Sequence, residues 1–340
     1  MSSQRNAPTL DDVARLAGVS TATVSRCINT PDRVIESTRN KVTTAINRLG
    51  YSPNFGARVM AAKRTNTIGA IIPTMENAIF ARGLQAFQEG LRAKGYTLLV
   101  ASSSYQADIE EEQIRSLVSR GADGLLLIGH DRDATIRKFL SRQNIPALVA
   151  WTHDPDADLP SIGFDNRKAM RALTRQVLDM GHRRIALISA ATKGNDRARL
   201  RVQGAKDALR EAGLNPDDLR IIETSYAIET GATAFADLMA DATPPTAVMC
   251  GNDVMAAGAI RQARDMGLSV PGDISITGFD DIELARIVEP PLTTIHVPHR
   301  DMGSGAAEIL VDMVENKSAG TTVELDATVC IRGSLAAPAD

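Results

Sequence analysis

Hydrophobic positions along this chain follow two different periods, and the change between them near residue 65 is the first sign of its organisation. In TLDDVARLA (9–17), Leu10, Val13, Ala14 and Ala17 recur at helical spacing. Thr9 stands where an N-cap belongs, and Asp12 holds the reciprocal capping position. Gly18 ends this helix, because glycine takes up the left-handed conformation of a helix C-terminus without steric penalty. Val19 is an apolar plug and Ser20 an N-cap, which predicts a second helix running to Asn29. In it Ala22, Val24, Cys27 and Ile28 are available for packing, while Thr21, Thr23, Ser25, Arg26 and Asn29 are polar. A third helix over Ser37–Leu49 carries the stripe Val42, Ala45, Ile46 and Leu49, with Gly50 beyond it. Three short helices with a glycine turn between the first two make a helix-turn-helix pattern.

Tyr51-Ser52-Pro53-Asn54 breaks the helical pattern, and FGARVMAAKR (55–64) then predicts a short helix too brief to stand alone. From Thr67 onward short apolar runs appear: IGAIIP, YTLLVA, GLLLI, PALVAW, RIALIS, TAVMC and ISITGF. Amphipathic stretches ending in glycine separate them. This alternation predicts parallel βαβ units covered by helices on both faces. Seven such strands exceed one doubly wound lobe, so two similar lobes are expected. Asp165-Asn166, after the short strand SIGF, marks one crossing between them, and PPLTTIHV (290–297) marks a second. The chain then returns for a helix over 299–316.

Composition narrows the class. At 340 residues the chain is too long for one ordinary core, and with 44% hydrophobic and 23% charged residues it reads as a folded protein. No run of about 18 apolar residues is present, which argues against a membrane-spanning helix. MSSQRNAPTLDD has no signal-peptide core, so a cytoplasmic location is expected. Cys27, Cys250 and Cys330 are scattered without CxxC spacing, fitting a reducing compartment and no zinc site. The net charge of −3 conceals an asymmetry. Residues 1–64 carry ten Lys/Arg against four Asp/Glu, a net +6, and the remainder carries −9. A basic head on an acidic body suits a polyanion-binding module joined to a sensor.

GVSTATVSRCIN (18–29) supplies the chemistry of such a head. A recognition helix places short polar side chains at its N-terminal end against phosphates and base edges. Ser20, Thr23, Ser25 and Asn29 suit phosphate or sugar contacts, and Thr21 and Ala22 at the leading end reach toward bases. Arg26, one turn later, can fork onto guanine O6 and N7.

At this point the chain resembles the LacI/GalR family of bacterial repressors. TLDDVARLAGVSTATVSR…N…TR…V…A…LGYSPN follows that family's headpiece pattern. GFDNRKAM, GHRRIALI, TAVMCGNDVMAAGAI, VPGDISITGFDDIELA and PPLTTI extend the likeness to about Arg332. The fold the resemblance implies is α/β overall. An all-α helix-turn-helix headpiece (8–52) is followed by a hinge helix and linker (53–64). A periplasmic-binding-protein-like core of two doubly wound parallel-sheet lobes then takes 65–164 plus 296–322 and 165–295 plus 323–340. Residue by residue, Thr21, Ala22 and Arg26 fall where the family reads bases. Thr9, Ser20, Thr23, Ser25, Asn29, Arg33 and Thr38 fall on its DNA-contacting surface. Asn54, Ala57 and Met60 lie on the hinge, with Met60 in place of the family's usual minor-groove leucine, an apolar wedge of similar volume. Ile35 departs from the serine that caps the third helix in many members.

For the sensor, the resemblance implies a cleft between the lobes at the carboxyl ends of the strands. Arg201, Asn252 and Asp280 form its polar clamp, a set able to satisfy vicinal hydroxyls or a carboxylate. The competing reading of Arg201 is a surface charge within DRARLR. Thr74, Met75, Asn77 and Phe80 follow the first core strand and Trp151 the fourth. The single tryptophan is either an aromatic floor for a sugar ring or an ordinary core residue. Lys193, Arg197 and Arg199 near Arg201 raise an acidic ligand, such as a sugar acid, beside a neutral sugar.

His130, His153, His182, His296 and His299 form no constellation along the chain, and GHRRIALI places His182 in a structural turn. No metal or cofactor is implied. GxSxG, a post-strand GxGxxG and GxxxxGK[ST] are all missing, so no carrier of catalysis is visible and a non-enzyme is expected. The reading is an allosteric repressor that binds double-stranded operator DNA as a homodimer and senses a sugar or sugar acid. The alternative is a solute-binding protein without a DNA role, which the basic head and missing signal sequence disfavour.

Overall fold

A computed structural model describes residues 7–52, 64–76 and 78–339. The chain divides into two units, Met1–Thr65 and Asn66–Asp340. In the first, α1 (Leu10–Ala17), α2 (Thr21–Asn29) and α3 (Glu36–Leu49) are joined by a glycine turn and a short 3-10 turn, Pro31–Arg33. The capping box forms at α1: the Asp12 N–H donates to Thr9 Oγ1 at 3.3 Å and the Thr9 N–H to Asp12 Oδ2 at 3.0 Å. Gly18 closes that helix at φ 66°, a left-handed value that few other residues take up cheaply. Ser20 caps α2, accepting from the Thr23 N–H at 3.2 Å.

Val13, Ala14, Val24, Cys27, Val42 and Ala45 make a small buried core, with Ile28, Ile46 and Leu49 packed half-buried around it. Ala22, grouped with the packing residues by pattern, is instead exposed. The helix axis turns it to the face opposite Val24 and Cys27. No side-chain hydrogen bond caps α3 at Ile35, as the loss of serine there implies. The expected hinge residues Asn54, Ala57 and Met60, and the pocket candidate Asn77, lie outside the described residues.

The second unit holds two parallel sheets. β1 (Thr67–Ile72), β2 (Thr97–Ser102), β3 (Gly124–Ile128), β4 (Ala147–Ala150) and β5 (Ser161–Gly163) build the first, linked by α4 (Ala81–Ala93), α5 (Ala107–Ser119) and α6 (Ala134–Gln143). After the crossing at Asp165, which caps α7 (Asn166–Asp179), the second sheet takes β6 (Ile185–Ala190), β7 (Arg220–Thr224), β8 (Ala247–Cys250) and β9 (Ser275–Thr277). Its crossover helices are α8 (Asp196–Glu211), α9 (Ile228–Met239) and α10 (Asp253–Asp265). After the short α11 (Leu284–Ile287), β10 (Thr294–His296) leads back into α12 (His299–Asn316), which packs on α4 and β3–β5. Finally come β11 (Val323–Glu324) and β12 (Thr328–Cys330), the latter antiparallel to β10.

Strand order is β11-β5-β4-β3-β1-β2 in the first sheet and β7-β6-β8-β9 in the second. β1, β3, β4, β5 and β6 are buried throughout, as strands covered on both faces must be. One boundary needs correction. β11 pairs with β5, so residues 323–324 belong to the first sheet rather than the second lobe, and the third crossing comes later. Beyond it, Ser334 exchanges hydrogen bonds with Ile276 at the rim of the second sheet. Among the described residues no helix is long and apolar enough to cross a membrane.

Candidate functional site

The head exposes one polar stripe. Ala22, Arg26 and Asn29, spaced by four and three residues, share a face of α2 opposite the buried Val24 and Cys27 and are all exposed. No hydrogen bond or ion pair engages the Arg26 side chain among the described residues, and its guanidinium is available to an outside partner. Thr21 and Ser25 flank the stripe half-buried, and Asn29 Nδ2 donates to Ser25 Oγ at 3.2 Å. The Ser20 and Thr23 hydroxyls meet at 2.9 Å over the helix N-terminus, where the free N–H groups and the dipole favour an anion. Arg33 is exposed and Thr38 half-buried in the first turn of α3. The Thr9 hydroxyl is exposed but donates to Asp12 Oδ2 at 2.6 Å, so its primary role is the cap.

In the body, residues far apart in the chain converge where the strands of the two sheets end. Phe80 follows β1, Trp151 follows β4, Asn252 follows β8 and Asp280 follows β9. Arg201 points in from α8. It is no surface charge: it is 6% exposed, and its guanidinium lies 3.7 Å from the centroid of the Phe279 ring. Nε donates to Asn166 Oδ1 at 2.9 Å and one terminal nitrogen to the Gly251 carbonyl at 2.5 Å, while the other stands 3.7 Å from Asp280 Oδ1.

Asp280 is 1% exposed and neither carboxylate oxygen has a hydrogen-bond donor among the described residues. Trp151 Nε1 and Asn252 Nδ2 are likewise buried without partners, although Asn252 Oδ1 caps α10 by accepting from the Met255 N–H at 2.9 Å. Orphaned buried polar groups are costly and rare, and here two donors and two acceptors of this kind lie among the residues where the strands end. Phe80, Trp151, Arg201 and Asp280 line a small void of about 20 Å³, while Thr74 and Met75 line a separate cavity of about 610 Å³. Trp151 is buried, with Phe80 edge-on at 5.2 Å and Gly83 so close that a Cβ there would fall 2.7 Å from the indole. Its ring is therefore packed, and its unpaired N–H is what it offers. Among the described residues no group of three or more His, Cys, Asp or Glu is placed to hold a metal ion.

Comparison with known proteins decides the identity of this architecture. Residues 9–54 match the family model for bacterial regulatory proteins of the lacI family, and residues 174–335 match a periplasmic binding protein-like domain. The transcriptional repressor CytR of Escherichia coli (strain K12) is 36% identical over 338 residues, covering 98% of both chains. The chain belongs to the lacI family. Catabolite control protein A of Priestia megaterium is 33% identical, with 93% of this chain and 95% of that one covered. The crystal structure of the lac repressor dimer bound to operator and the anti-inducer ONPF superposes with a TM-score of 0.86 at 27% identity, covering 98% of this chain and all of that one. This lacI-family protein is accordingly a DNA-binding transcriptional repressor controlled by a small-molecule effector, and the α2 stripe and the interlobe cleft are its two candidate sites.

Several residues of this lacI-family regulator had no assigned role in sequence. His296 Nδ1 lies 2.9 Å from Asp281 Oδ2, and His299 Nε2 donates to the Asp280 carbonyl at 3.1 Å. Two histidines that formed no constellation along the chain thus brace the clamp loop. Burial lowers the His299 pKa, keeping the imidazole neutral. His182 is structural as read, bonded to Thr246 Oγ1 at 2.9 Å and to the Ala336 carbonyl at 2.7 Å.

Two of the three cations that raised an acidic ligand are paired, while Lys193 lines the outer cavity. Arg197 pairs with Asp196 at 2.8 Å, and Arg199 meets both oxygens of Asp131 at 2.6 and 2.7 Å. The Asp131–Arg199 pair joins the two lobes, as does the bond from the His130 N–H to Asp196 Oδ2 at 2.6 Å. Tyr105 and Tyr226, also missed, border both cavities. The available signal was their position just after strands β2 and β7, but β7 (RIIET) is half-exposed and shows no continuous apolar run.

Proposed function

We propose that the effector of this repressor is a neutral, polyhydroxylated molecule of the sugar class. It would be held by Asp280, Arg201, Asn252 and the Trp151 indole N–H, with Phe80 beside it and Thr74 and Met75 toward the outer cavity. The observation that carries the reading is the buried Asp280 carboxylate, which lines the void beside Arg201 and has no hydrogen-bond donor among the described residues. Two acceptors flanked by donors match the alternating hydroxyls of a sugar. A neutral ligand is favoured over a sugar acid because Asp280 opposes Arg201, and the nearby Arg197 and Arg199 already hold Asp196 and Asp131. A cellobiose complex of the regulator CelR, similar in fold with a TM-score of 0.71 at 29% identity, supports the class.

DNA would be read by Thr21, Ala22 and Arg26. Ser20, Thr23, Ser25, Asn29, Arg33 and Thr38 would serve as backbone contacts, and Asn54, Ala57 and Met60 as a hinge in the minor groove. The working unit is a cytoplasmic homodimer on a two-fold operator, as in the lac repressor complex. Effector closure of the cleft would change operator affinity by a coupling of about 1–3 kcal/mol.

The test is isothermal titration of a panel of neutral sugars and sugar acids, followed by operator binding with and without each hit. A neutral sugar should bind, Asp280→Asn should weaken it by about two orders of magnitude, and operator affinity without ligand should stay within about twofold of wild type. Hits confined to acids, or a hit indifferent to Asp280→Asn, would remove this assignment.

A further inference from the structure

We propose that Tyr105 and Tyr226, one from each lobe, form an aromatic gate that seals the effector clamp from the outer cavity and must part for a ligand to reach it. The gate rests on the reading of the cleft as the effector site.

Tyr105 follows β2 of the first sheet and Tyr226 follows β7 of the second, yet their ring centroids are 5.5 Å apart with planes tilted by 38°. That separation is direct aromatic contact. Both rings border the outer cavity of about 610 Å³, and both also border the inner void of about 20 Å³ that holds Trp151, Arg201 and Asp280. The pair is thus the partition between the two spaces. The inner void has room for about one water molecule, far less than a sugar ring needs. Its polar atoms therefore meet an effector only after the partition moves.

The backbone holds Tyr105 in place at some cost. Ser104 and Tyr105 have φ of 51° and 59°, two consecutive non-glycine residues in the left-handed region, where side chains are disfavoured. Strain of this kind persists only where the surroundings fix it, and it gathers at ligand clamps and switches. Because the two rings belong to different lobes, parting them and opening the cleft are one motion. The Asp131–Arg199 pair and the His130–Asp196 bond hold the lobes on the same closed side of that motion. A ligand seated on Asp280 is then covered again as the rings close, which removes water from its hydrogen bonds and strengthens them.

The chain's single tryptophan, Trp151, lies behind the gate and reports on it without any effector. Collisional quenching of its fluorescence by acrylamide is measured in the full-length protein. Tyr105→Ala and Tyr226→Ala should each raise the Stern–Volmer constant by about threefold or more. Tyr105→Phe and Tyr226→Phe, which keep the ring, should stay near wild type. So should Met75→Ala, which alters the outer cavity alone. If an alanine variant does not fold, the same comparison is read from Tyr105→Leu and Tyr226→Leu, which keep apolar bulk but not the ring's span. A folded variant with wild-type circular dichroism and operator affinity but an unchanged constant overturns the gate. A phenylalanine variant quenched as strongly as its alanine counterpart overturns it too. With no effector present, failure of the gate leaves the effector assignment standing, and a failed sugar panel leaves the gate standing.

Discussion

Three aspartates near the clamp have one chemistry and three fates. Asp253, at the start of α10, is fully buried, accepting from Thr294 Oγ1 at 2.6 Å and from the Ile282 N–H at 2.9 Å. Burial, reinforced by the nearby Asp280 charge, pushes its pKa well above the ordinary carboxylate range. Asp280 is raised by burial as well, with Arg201 opposing the shift. For Asp281 burial works in the same direction, but hydrogen bonds from Arg332 and His296 outweigh it and hold the pKa below normal. A raised native pKa means that the folded chain binds that proton more tightly than the unfolded chain. Asp253 therefore contributes less stability as pH rises from the usual aspartate range toward its native pKa. Asp253→Asn stays neutral and escapes this loss. Urea melts at pH 4.5 and 7.5 should show wild type losing stability relative to Asp253→Asn as pH increases, and parallel behaviour of the two proteins would contradict the assignment.

At the scale of the element, the head illustrates how a local rule is broken and what restores it. α1 and α2 each begin with a hydroxyl that accepts a backbone N–H, whereas α3 begins at Ile35 with no side-chain cap. Ile35 is 72% exposed, so replacing it removes little packing. Ile35→Ser should stabilise the head by about 1 kcal/mol, read as a higher thermal midpoint for the loss of head helicity. A neutral or lower midpoint would mean that the first turn of α3 already finds its partners elsewhere. Strands behave similarly. Those buried on both faces announce themselves as apolar runs, and so does the part-exposed edge strand β2, whereas β7 at the edge of the other sheet and the two-residue β11 carry no such mark.

For the molecule as a whole, the division of charge sets its behaviour toward DNA. A head of net +6 bears the exposed Arg26 stripe, while the rest of the chain carries −9. Operator affinity should fall steeply between about 50 and 200 mM salt as phosphate contacts release counterions. Arg26→Ala should weaken specific binding by about 1–3 kcal/mol and relax base preference, while leaving most of that salt slope in place. Competition between operator and random duplex at several salt concentrations separates these effects. A loss equal on both duplexes would recast Arg26 as a phosphate contact. Within the body, the Asp131–Arg199 pair and the Tyr105–Tyr226 contact bridge the two lobes.

The residue pattern alone marks the three-helix head and the caps of its first two helices, because helix periodicity and capping act within a few residues of one another, whereas the exposure of Ala22 beside Arg26 and Asn29 emerges only from packing. It also marks the two-lobed α/β body, through the alternation of short apolar strand runs with amphipathic helices. Tertiary structure alone decided what the clamp is. Whether Arg201 is a surface charge or a buried fork, whether Trp151 offers a face or an N–H, and whether Tyr105 meets Tyr226 all depend on where strands of different lobes end. The same packing decides which of Lys193, Arg197 and Arg199 are already partnered, since desolvation and pairing are properties of neighbours in space. A linear pattern records which side chains are present, and burial decides which of them are left with unmet hydrogen bonds for a ligand to satisfy.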